Sequence, residues 1–295
     1  MPRPQTLEER TEFSSRIHEQ TVPLIYKHTV PILQRTYEAS TLLGTGVLMQ
    51  IADAYFLLSA AHVLAEVKDV RAMFVPGAGD QGQTLRGEFA FSPPDDDRDV
   101  GVVRLDSDVA ELLRAGGWEF LRMNKVVCLK GDELPPAVYA LYGYPIELHK
   151  RPGGVLEPRP YWHGTRRHAK TASELGLNPE RHVVLKLHPE EDDDFICAGL
   201  ERNRIPHLGG ISGCGMWLVC DDQDLDTPEA WSADNYLLAG IEHAFQTQSG
   251  YIKVTTLTTL LSLIAATFPE LAGPITLLRP IRRNYAQAHV TRGPG

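Results

Sequence analysis

The sequence predicts an all-β protein with one helix before its strands and one after them. Short apolar stretches separated by Gly, Pro and Asp turns fill residues 36–115, and a second series begins near residue 130. Helical patterns lie on either side, over residues 6–28 and 254–268. The composition is that of a globular protein, since 43% of the 295 residues are hydrophobic and 23% are charged.

The N-terminal helix carries its own start signal. Thr6-Leu7-Glu8-Glu9 has the form of a capping box, in which the threonine hydroxyl and the glutamate carboxylate each accept a backbone hydrogen bond from the other residue. Apolar residues then recur on one face of the helix: Phe13, Ile17, Val22 and Leu24. We expect this helix to pack on the β regions or to dock a partner.

The first β region opens with a hairpin that leads to a histidine. Residues 42–51 and 55–59 are two apolar, β-prone stretches, and Ala52-Asp53-Ala54 separates them. The second stretch runs into Ser59-Ala60-Ala61-His62, whose small residues leave room for the backbone to turn. The pattern places His62 at the end of a strand. A histidine that only caps the strand or satisfies a core group is the alternative interpretation.

Asp99 stands at the head of another predicted strand. It follows an acidic loop at 92–98 and directly precedes the apolar residues 100–105. A carboxylate at the start of a buried strand is costly unless a partner satisfies it, so we expect Asp99 to have one. The preceding acids fit a solvated loop, because runs of like charge are usually exposed: Asp95, Asp96 and Asp97.

Ser212 lies in a glycine-rich segment, Gly209-Gly210-Ile211-Ser212-Gly213. Glycine adopts backbone angles that are closed to other residues, which lets consecutive N–H groups converge on one point. We therefore predict that the N–H groups of Gly210 and Ser212 form an oxyanion hole. A glycine-rich surface turn is the alternative.

Together these residues predict a hydrolase with a serine nucleophile. A serine hydroxyl needs an imidazole to accept its proton and a carboxylate to orient that imidazole, and His62, Asp99 and Ser212 supply the three groups. The sequence excludes an α/β-hydrolase. Cys214 stands where the Gly-x-Ser-x-Gly motif needs glycine, and those enzymes carry serine before the acid and the histidine.

The chain resembles the trypsin-like (chymotrypsin-fold) serine peptidases over about residues 36–260. The resemblance is carried by Gly44-Thr45-Gly46, by Leu58-Ser59-Ala60-Ala61-His62 and by the segments around Asp99 and Ser212. It implies a chymotrypsin-like fold of two six-stranded antiparallel β-barrels. It also implies that the serine attacks a peptide carbonyl, that the histidine is general base and then general acid, and that the aspartate orients the histidine.

Two departures from the secreted relatives are informative. Ile211 precedes the nucleophile, where secreted members usually carry an Asp that pairs with a new N-terminus, so no activation of that kind is implied. Val63 follows His62 where those members carry a disulfide cysteine. The resemblance is closest to intracellular and bacterial members without disulfides. The four cysteines form no disulfide framework and the first residues include no apolar signal segment, so we expect a cytoplasmic protein.

The resemblance also indicates a substrate pocket. Pro206, six residues before the nucleophile, takes the position at the base of that pocket, where a preference for basic residues would need Asp. His207 and three residues of a later strand are expected to line the same pocket: Glu242, His243 and Phe245. Glu242 would attract a basic side chain and His207 an acidic one, so both preferences stay open.

Charge and composition argue against other function classes. A net charge of −9 argues against a nucleic-acid-binding protein, and no apolar run is long enough for a transmembrane helix. The spacing of His163, His168, His182 and His188 matches no zinc pattern, and we expect no metal and no cofactor. We interpret the basic stretch at 149–170 as a solvated, Pro-rich insertion loop.

We expect four parts in the chain: a helical extension at 1–30, a first β-barrel at 31–125 with His62 and Asp99, a second at 126–255 with Ser212, and a C-terminal helix with a basic tail at 256–295. The predicted function is a serine endopeptidase that acts on a protein or peptide, with narrow specificity or under control of a regulatory protein partner. The alternative is a catalytically silent peptide-binding or scaffolding protein of the same fold.

Overall fold

The computed structural model describes residues 6–35, 40–69, 72–74, 83–148, 157–188 and 207–277. The helices within them are α1 (Leu7–Tyr26), α2 (Ala61–Asp69), α3 (Ser107–Ala115), α4 (Asp222–Asp226), α5 (Leu257–Thr267) and α6 (Ala272–Thr276). The strands of the first sheet are β1 (Thr29–Arg35), β2 (Ser40–Ile51), β3 (Ala54–Ala60), β4 (Ala72–Phe74), β5 (Gln83–Thr84), β6 (Gly87–Phe91), β7 (Val100–Leu105) and β8 (Leu121–Arg122). Those of the second sheet are β9 (Ala137–Gly143), β10 (Tyr161–Thr165), β11 (His182–Lys186), β12 (Gly215–Asp221), β13 (Leu237–Gln246) and β14 (Tyr251–Thr256).

The predicted all-β class, with two antiparallel sheets between terminal helices, is confirmed. The first sheet has the order β5-β4-β1-β2-β3-β7-β6, and β8 runs parallel to β2. It contains six strands of three or more residues, and β5 and β8 add two residues each. The second sheet has six strands in the order β10-β9-β12-β13-β14-β11. An isolated bridge between Arg167 and Leu185 joins its two edges, so this sheet closes on itself.

One apolar cluster lies between the two sheets and is covered by both terminal helices. Its fully or almost fully buried members come from α1, from the first sheet, from the second sheet and from α5: Ile17, Met49, Phe56, Trp217 and Leu260. Because packed interiors tolerate little relative movement, this shared core holds the two sheets at a defined position. Any site formed between the sheets is thereby held at a defined geometry.

The N-terminal helix begins at the predicted capping box. The N–H group of Glu9 donates to the Thr6 hydroxyl at 3.2 Å, and the N–H group of Thr6 donates to the Glu9 carboxylate at 2.7 Å. Just after the helix, His28 contacts the carbonyl oxygen of Glu119 at 2.8 Å and the hydroxyl of Tyr236 at 3.2 Å. His28 therefore ties the end of the helix to the segments that lead into β8 and β13. None of the helices in the described ranges has the length and apolar character needed to cross a membrane.

Two sequence predictions need correction. The C-terminal helix begins at Leu257 instead of residue 254, because residues 251–256 form β14. Ile252 and Val254 are buried and alternate with polar residues, a period of two that fits a strand. In the stretch 149–170, Tyr161–Thr165 is a buried strand paired with β9 instead of a solvated loop. Residues 149–156, Pro206 and the basic tail at 278–295 lie outside the described residues.

Candidate active site

The antiparallel pairing of β3 with β7 brings His62 and Asp99 to the same edge of the first sheet. Ala60 is opposite Val100, so the residues just beyond these strand ends are neighbours. His62 is the second residue of α2, and Asp99 directly precedes β7. The N–H group of Ala61 donates to the carbonyl oxygen of Asp99 at 3.1 Å, which ties the start of α2 to the start of β7.

Both carboxylate oxygens of Asp99 contact His62. Oδ1 accepts the backbone N–H group of His62 at 3.0 Å, and Oδ2 lies 2.8 Å from its Nδ1 atom. A carboxylate only accepts hydrogen bonds, so the proton of the neutral ring lies on Nδ1 and the lone pair of Nε2 is available to a substrate or a nucleophile. Asp99 reaches this position with φ of 43°, a left-handed backbone that is uncommon outside glycine.

The pKa shifts of this pair favour its charged form. Burial by itself raises the pKa of Asp99, but the contacts with His243 and His62 outweigh burial, and the pKa lies well below its usual value. The hydrogen bond to Asp99 raises the pKa of His62 above 6.5, against the opposite effect of burial. Asp99 is therefore charged near neutral pH and stabilises the imidazolium that forms when His62 accepts a proton.

A second histidine faces the same carboxylate. A β-bulge in the pairing of β13 with β14 turns His243 toward Asp99, and its Nδ1 lies 3.5 Å from Oδ2. Its Nε2 lies 3.1 Å from the hydroxyl of Thr255, which donates its own proton to the carbonyl of Arg98 at 2.5 Å. Burial lowers the pKa of His243, so the ring is neutral near pH 7. Its Nδ1 atom lies farther from Oδ2 of Asp99, at 3.5 Å, than the Nδ1 atom of His62, at 2.8 Å.

Ser212 lies on the loop before β12, and the first sheet holds this loop close to α2. The N–H group of Thr45 donates to the carbonyl of Ser212 at 2.8 Å. A Cβ atom on Gly44 would lie 2.8 Å from that same carbonyl oxygen and 2.7 Å from both methyl groups of Val63, the residue after His62. A glycine is thus needed where the serine loop approaches the histidine helix. The Ser212 hydroxyl makes no hydrogen bond to any described residue, and such catalytic contacts are often long before substrate binds.

Two consecutive turns shape the serine loop. The N–H group of Ile211 donates to the carbonyl of Leu208 at 3.0 Å, and that of Cys214 donates to the carbonyl of Ile211 at 3.0 Å. The third residue of each turn is a glycine with positive φ, 88° at Gly210 and 90° at Gly213. Turns with this backbone favour glycine at that position, which explains the glycine spacing around the serine.

In the segment 209–213, the N–H groups of Gly210 and Ser212 have no acceptor among the described residues. Each of these N–H groups shares a peptide unit with the carbonyl of the preceding residue, Gly209 or Ile211. The carbonyl of Gly209 accepts the N–H group of Ile146 at 2.7 Å, and that of Ile211 accepts the N–H group of Cys214 in the second turn. In a trans peptide the N–H group points opposite to its carbonyl, so both free N–H groups have defined directions. Oriented, unpaired N–H groups are what an oxyanion hole requires.

The predicted pocket residues lie in different surroundings. His207 is exposed, its N–H group donates to the Glu147 carboxylate, and its ring meets Phe245 edge-on with centroids 6.1 Å apart. His243, expected in the same pocket, lies against Asp99 instead because the bulge turns it there.

Glu242 is the buried carboxyl group among the predicted pocket residues. It is opposite Val254 in the pairing of β13 with β14, and its side chain is fully buried. Both carboxyl oxygens lack a hydrogen-bond partner in the part of the chain that the structure describes. Burial, with a smaller contribution from the charge of Asp99, raises the pKa of Glu242 to about 8, so it is mostly neutral near pH 7.

Thr45 and Thr255 are residues of the site that the sequence patterns do not reveal. Both are fully buried threonines inside strands, where threonine is common for reasons unrelated to a site. The available signal for Thr45 was its place between two glycines in an apolar strand.

No family model matches the chain, and no curated protein matches it. The solved structures that resemble it include the following three, each at 13% sequence identity. The alignment with a Glu endopeptidase in complex with MPD covers 84% of this chain and 92% of the endopeptidase chain, with a TM-score of 0.46. The alignment with the VesB protease of Vibrio cholerae covers 81% of this chain and 63% of the VesB chain, with a TM-score of 0.47. The alignment with a structure from work on the intrinsically disordered Sesbania mosaic virus VPg protein covers 86% of this chain and 92% of the chain in that structure, with a TM-score of 0.45.

Proposed function

We propose that this chain is a serine endopeptidase that hydrolyses peptide bonds through an acyl-enzyme on Ser212. The arrangement that supports the proposal is an aspartate directly before β7 bonded to Nδ1 of His62, beside a serine loop with two oriented N–H groups that have no acceptor among the described residues. A histidine in this tautomer accepts a proton at Nε2, and the N–H groups stabilise negative charge on oxygen. Acyl transfer uses both features in one step.

The proposed reaction has two halves. In the first, His62 accepts the hydroxyl proton of Ser212 as the serine oxygen attacks the peptide carbonyl, and the oxyanion is bound by the N–H groups of Gly210 and Ser212. The carbon–nitrogen bond then breaks, and His62 donates its proton to the leaving amine. In the second half, a water molecule repeats the attack with His62 as base and releases the acid product and the free serine.

The proposal includes restraint of this activity by means other than cleavage of an N-terminal segment. Ile211 is fully buried and apolar, so it cannot form an ion pair with a new N-terminus. The serine loop is already held by Thr45, Ile146 and its own turns. We therefore assign the restraint to narrow substrate selection or to a regulatory protein partner.

We also propose that the enzyme works in a reducing compartment such as the cytoplasm. The described cysteines are free thiols, and the stability of the two sheets comes from their shared apolar core. These cysteines are Cys128, Cys214 and Cys220. Burial raises the pKa of all three thiols, as expected of packing residues and not of reactive ones.

Labelling with a fluorophosphonate probe, followed by peptide hydrolysis, tests the nucleophile. We expect the wild type to be labelled and Ser212→Ala to lose labelling, with kcat lower by roughly 10⁶-fold. Ser262→Ala is the matched control, because Ser262 is exposed on α5 and bonds only its own helix. Equal labelling of Ser212→Ala and wild type would refute the assignment.

Mass spectrometry of the peptides released from a denatured proteome measures specificity in the same experiment. A restricted set of cleavage sites supports narrow selection, and cleavage at many unrelated sites contradicts both forms of restraint. Absence of labelling and of hydrolysis in the wild type would instead favour the silent peptide-binding alternative.

A further inference from the structure

Thr45 is a fully buried residue whose N–H group, carbonyl and hydroxyl are all hydrogen-bonded. Its N–H group donates to the carbonyl of Ser212 at 2.8 Å, and its carbonyl accepts the hydroxyl of Ser59 at 2.6 Å. Its own hydroxyl donates to the carbonyl of Gly210 at 3.1 Å and accepts the N–H group of Tyr144 at 3.0 Å. One side chain of the first sheet thus reaches two segments of the second.

These contacts act on the serine loop by two routes. Thr45 holds the carbonyls of Gly210 and Ser212 directly. Its hydroxyl also accepts the N–H group of Tyr144, two residues before Ile146. The N–H group of Ile146 in turn donates to the carbonyl of Gly209, in the same peptide as the free N–H group of Gly210. If the loop turned away, buried polar groups on both segments would lose their partners, which is unfavourable.

The geometry points to Thr45 as a positioning residue for the oxyanion hole. From the first sheet, its hydroxyl holds the Gly210–Ile211 peptide, which joins the two peptides that carry the free N–H groups of Gly210 and Ser212. This hold takes the place of the ion pair that Ile211 cannot form. Without such a hold, a loop with several glycines can adopt arrangements in which these N–H groups point elsewhere. This inference rests on the proposed peptidase function and adds the residue that keeps the site assembled.

Two substitutions separate the hydroxyl from the shape of the side chain. Thr45→Val keeps the shape and removes the hydroxyl, whereas Thr45→Ser keeps the hydroxyl. We expect Thr45→Val to lower kcat by about 30-fold with KM changed by less than about threefold, because an oxyanion hole acts on the transition state more than on bound substrate. We expect Thr45→Ser to recover most of that loss.

Thr29→Val is the matched control. Thr29 is also a fully buried threonine, on the neighbouring strand β1, and its hydroxyl donates to the carbonyl of Ile25 at 3.1 Å, away from the serine loop. Thr29→Val should lower the free energy of unfolding, because it too removes a buried hydroxyl, and should keep the wild-type kcat per folded molecule. Equal losses of kcat in Thr45→Val and Thr29→Val would overturn the proposal, as would a Thr45→Ser enzyme as impaired as Thr45→Val.

Amide hydrogen exchange gives a second readout that does not need turnover. The N–H group of Ile211 donates to the carbonyl of Leu208 at 3.0 Å, and that of Gly213 donates to the carbonyl of Glu242 on β13 at 2.8 Å. Under native conditions we expect both to exchange at least about tenfold faster in Thr45→Val and at the wild-type rate in Thr29→Val. Unchanged exchange in Thr45→Val refutes the positioning role. A wild type without turnover refutes the peptidase proposal instead, and the exchange comparison still decides the role of Thr45.

Discussion

Asp99 and Glu242 are neighbouring carboxyl groups in opposite states of charge. Asp99 accepts two hydrogen bonds from His62, and its pKa lies well below its usual value. Glu242 is fully buried with both oxygens unpaired, and its pKa is raised to about 8. The charge of Asp99 contributes to that increase, so the two groups act on each other.

The difference lies in the donors that each carboxyl group meets. Burial raises the pKa of both groups, because a charge loses hydration in the interior. At Asp99, the backbone and ring of His62 replace the lost water. Glu242 has no such donor among the described residues. Two acids in one site can therefore have different functions, one as a permanent charge and the other as a neutral group.

Removing the charge of Asp99 is expected to have the largest effect. In Asp99→Asn the amide can donate to Nδ1 of His62, which places the ring proton on Nε2 and prevents it from accepting the proton of the serine. We expect kcat to fall by about 10⁴-fold at pH 8. Asp95→Asn, an exposed acid of the same loop, should retain wild-type kcat. An Asp99→Asn enzyme within about tenfold of wild type would contradict the role of Asp99.

Replacing Glu242 is expected to change how stability depends on pH. The pKa of Glu242 rises from 4.5 to about 8 on folding, so its contribution to the free energy of unfolding is largest below pH 4.5 and is lost as pH rises toward 8. Glu242→Gln has no such titration. We expect the free energy of unfolding of Glu242→Gln to rise relative to that of wild type by on the order of 4 kcal/mol between pH 5 and pH 9, measured by urea denaturation.

The control for that experiment is Glu229→Gln, since Glu229 is exposed. Its difference from wild type should be the same at both pH values. A pH-independent difference for Glu242→Gln would show that Glu242 has donors in the folded protein.

The pH dependence of activity is the smallest expected effect and tests the Asp99 side of the comparison. His62 must be neutral to accept the serine proton, and its pKa is raised above 6.5 mainly by the hydrogen bond to Asp99. We expect kcat/KM to fall in acid with an apparent pKa above 6.5, because this parameter reports the free enzyme. Glu242→Gln should show the same acid limb, since Glu242 is neutral in that range. A midpoint at or below 6.5 would contradict the assigned pairing.

Local sequence determined much of the strand pattern and the candidate triad. Two apolar, β-prone stretches and the short separation between them predicted the hairpin of β2 and β3, and the capping box predicted the start of α1. His62, Asp99 and Ser212 could be selected because each lies at a strand end or in a glycine-rich turn, which are properties of a few consecutive residues.

The tertiary structure alone decided how these residues are held and which neighbours act on them. Thr45 meets Gly210 across 165 positions of sequence, and no local pattern reports such a contact. A bulge in β13 sends His243 to Asp99, and the strand register leaves Glu242 buried with no donor from the part of the chain that the structure describes. The physical reason is that hydrogen bonds and burial depend on which atoms meet when the two sheets pack, whereas periodicity and turn residues depend only on the chain nearby.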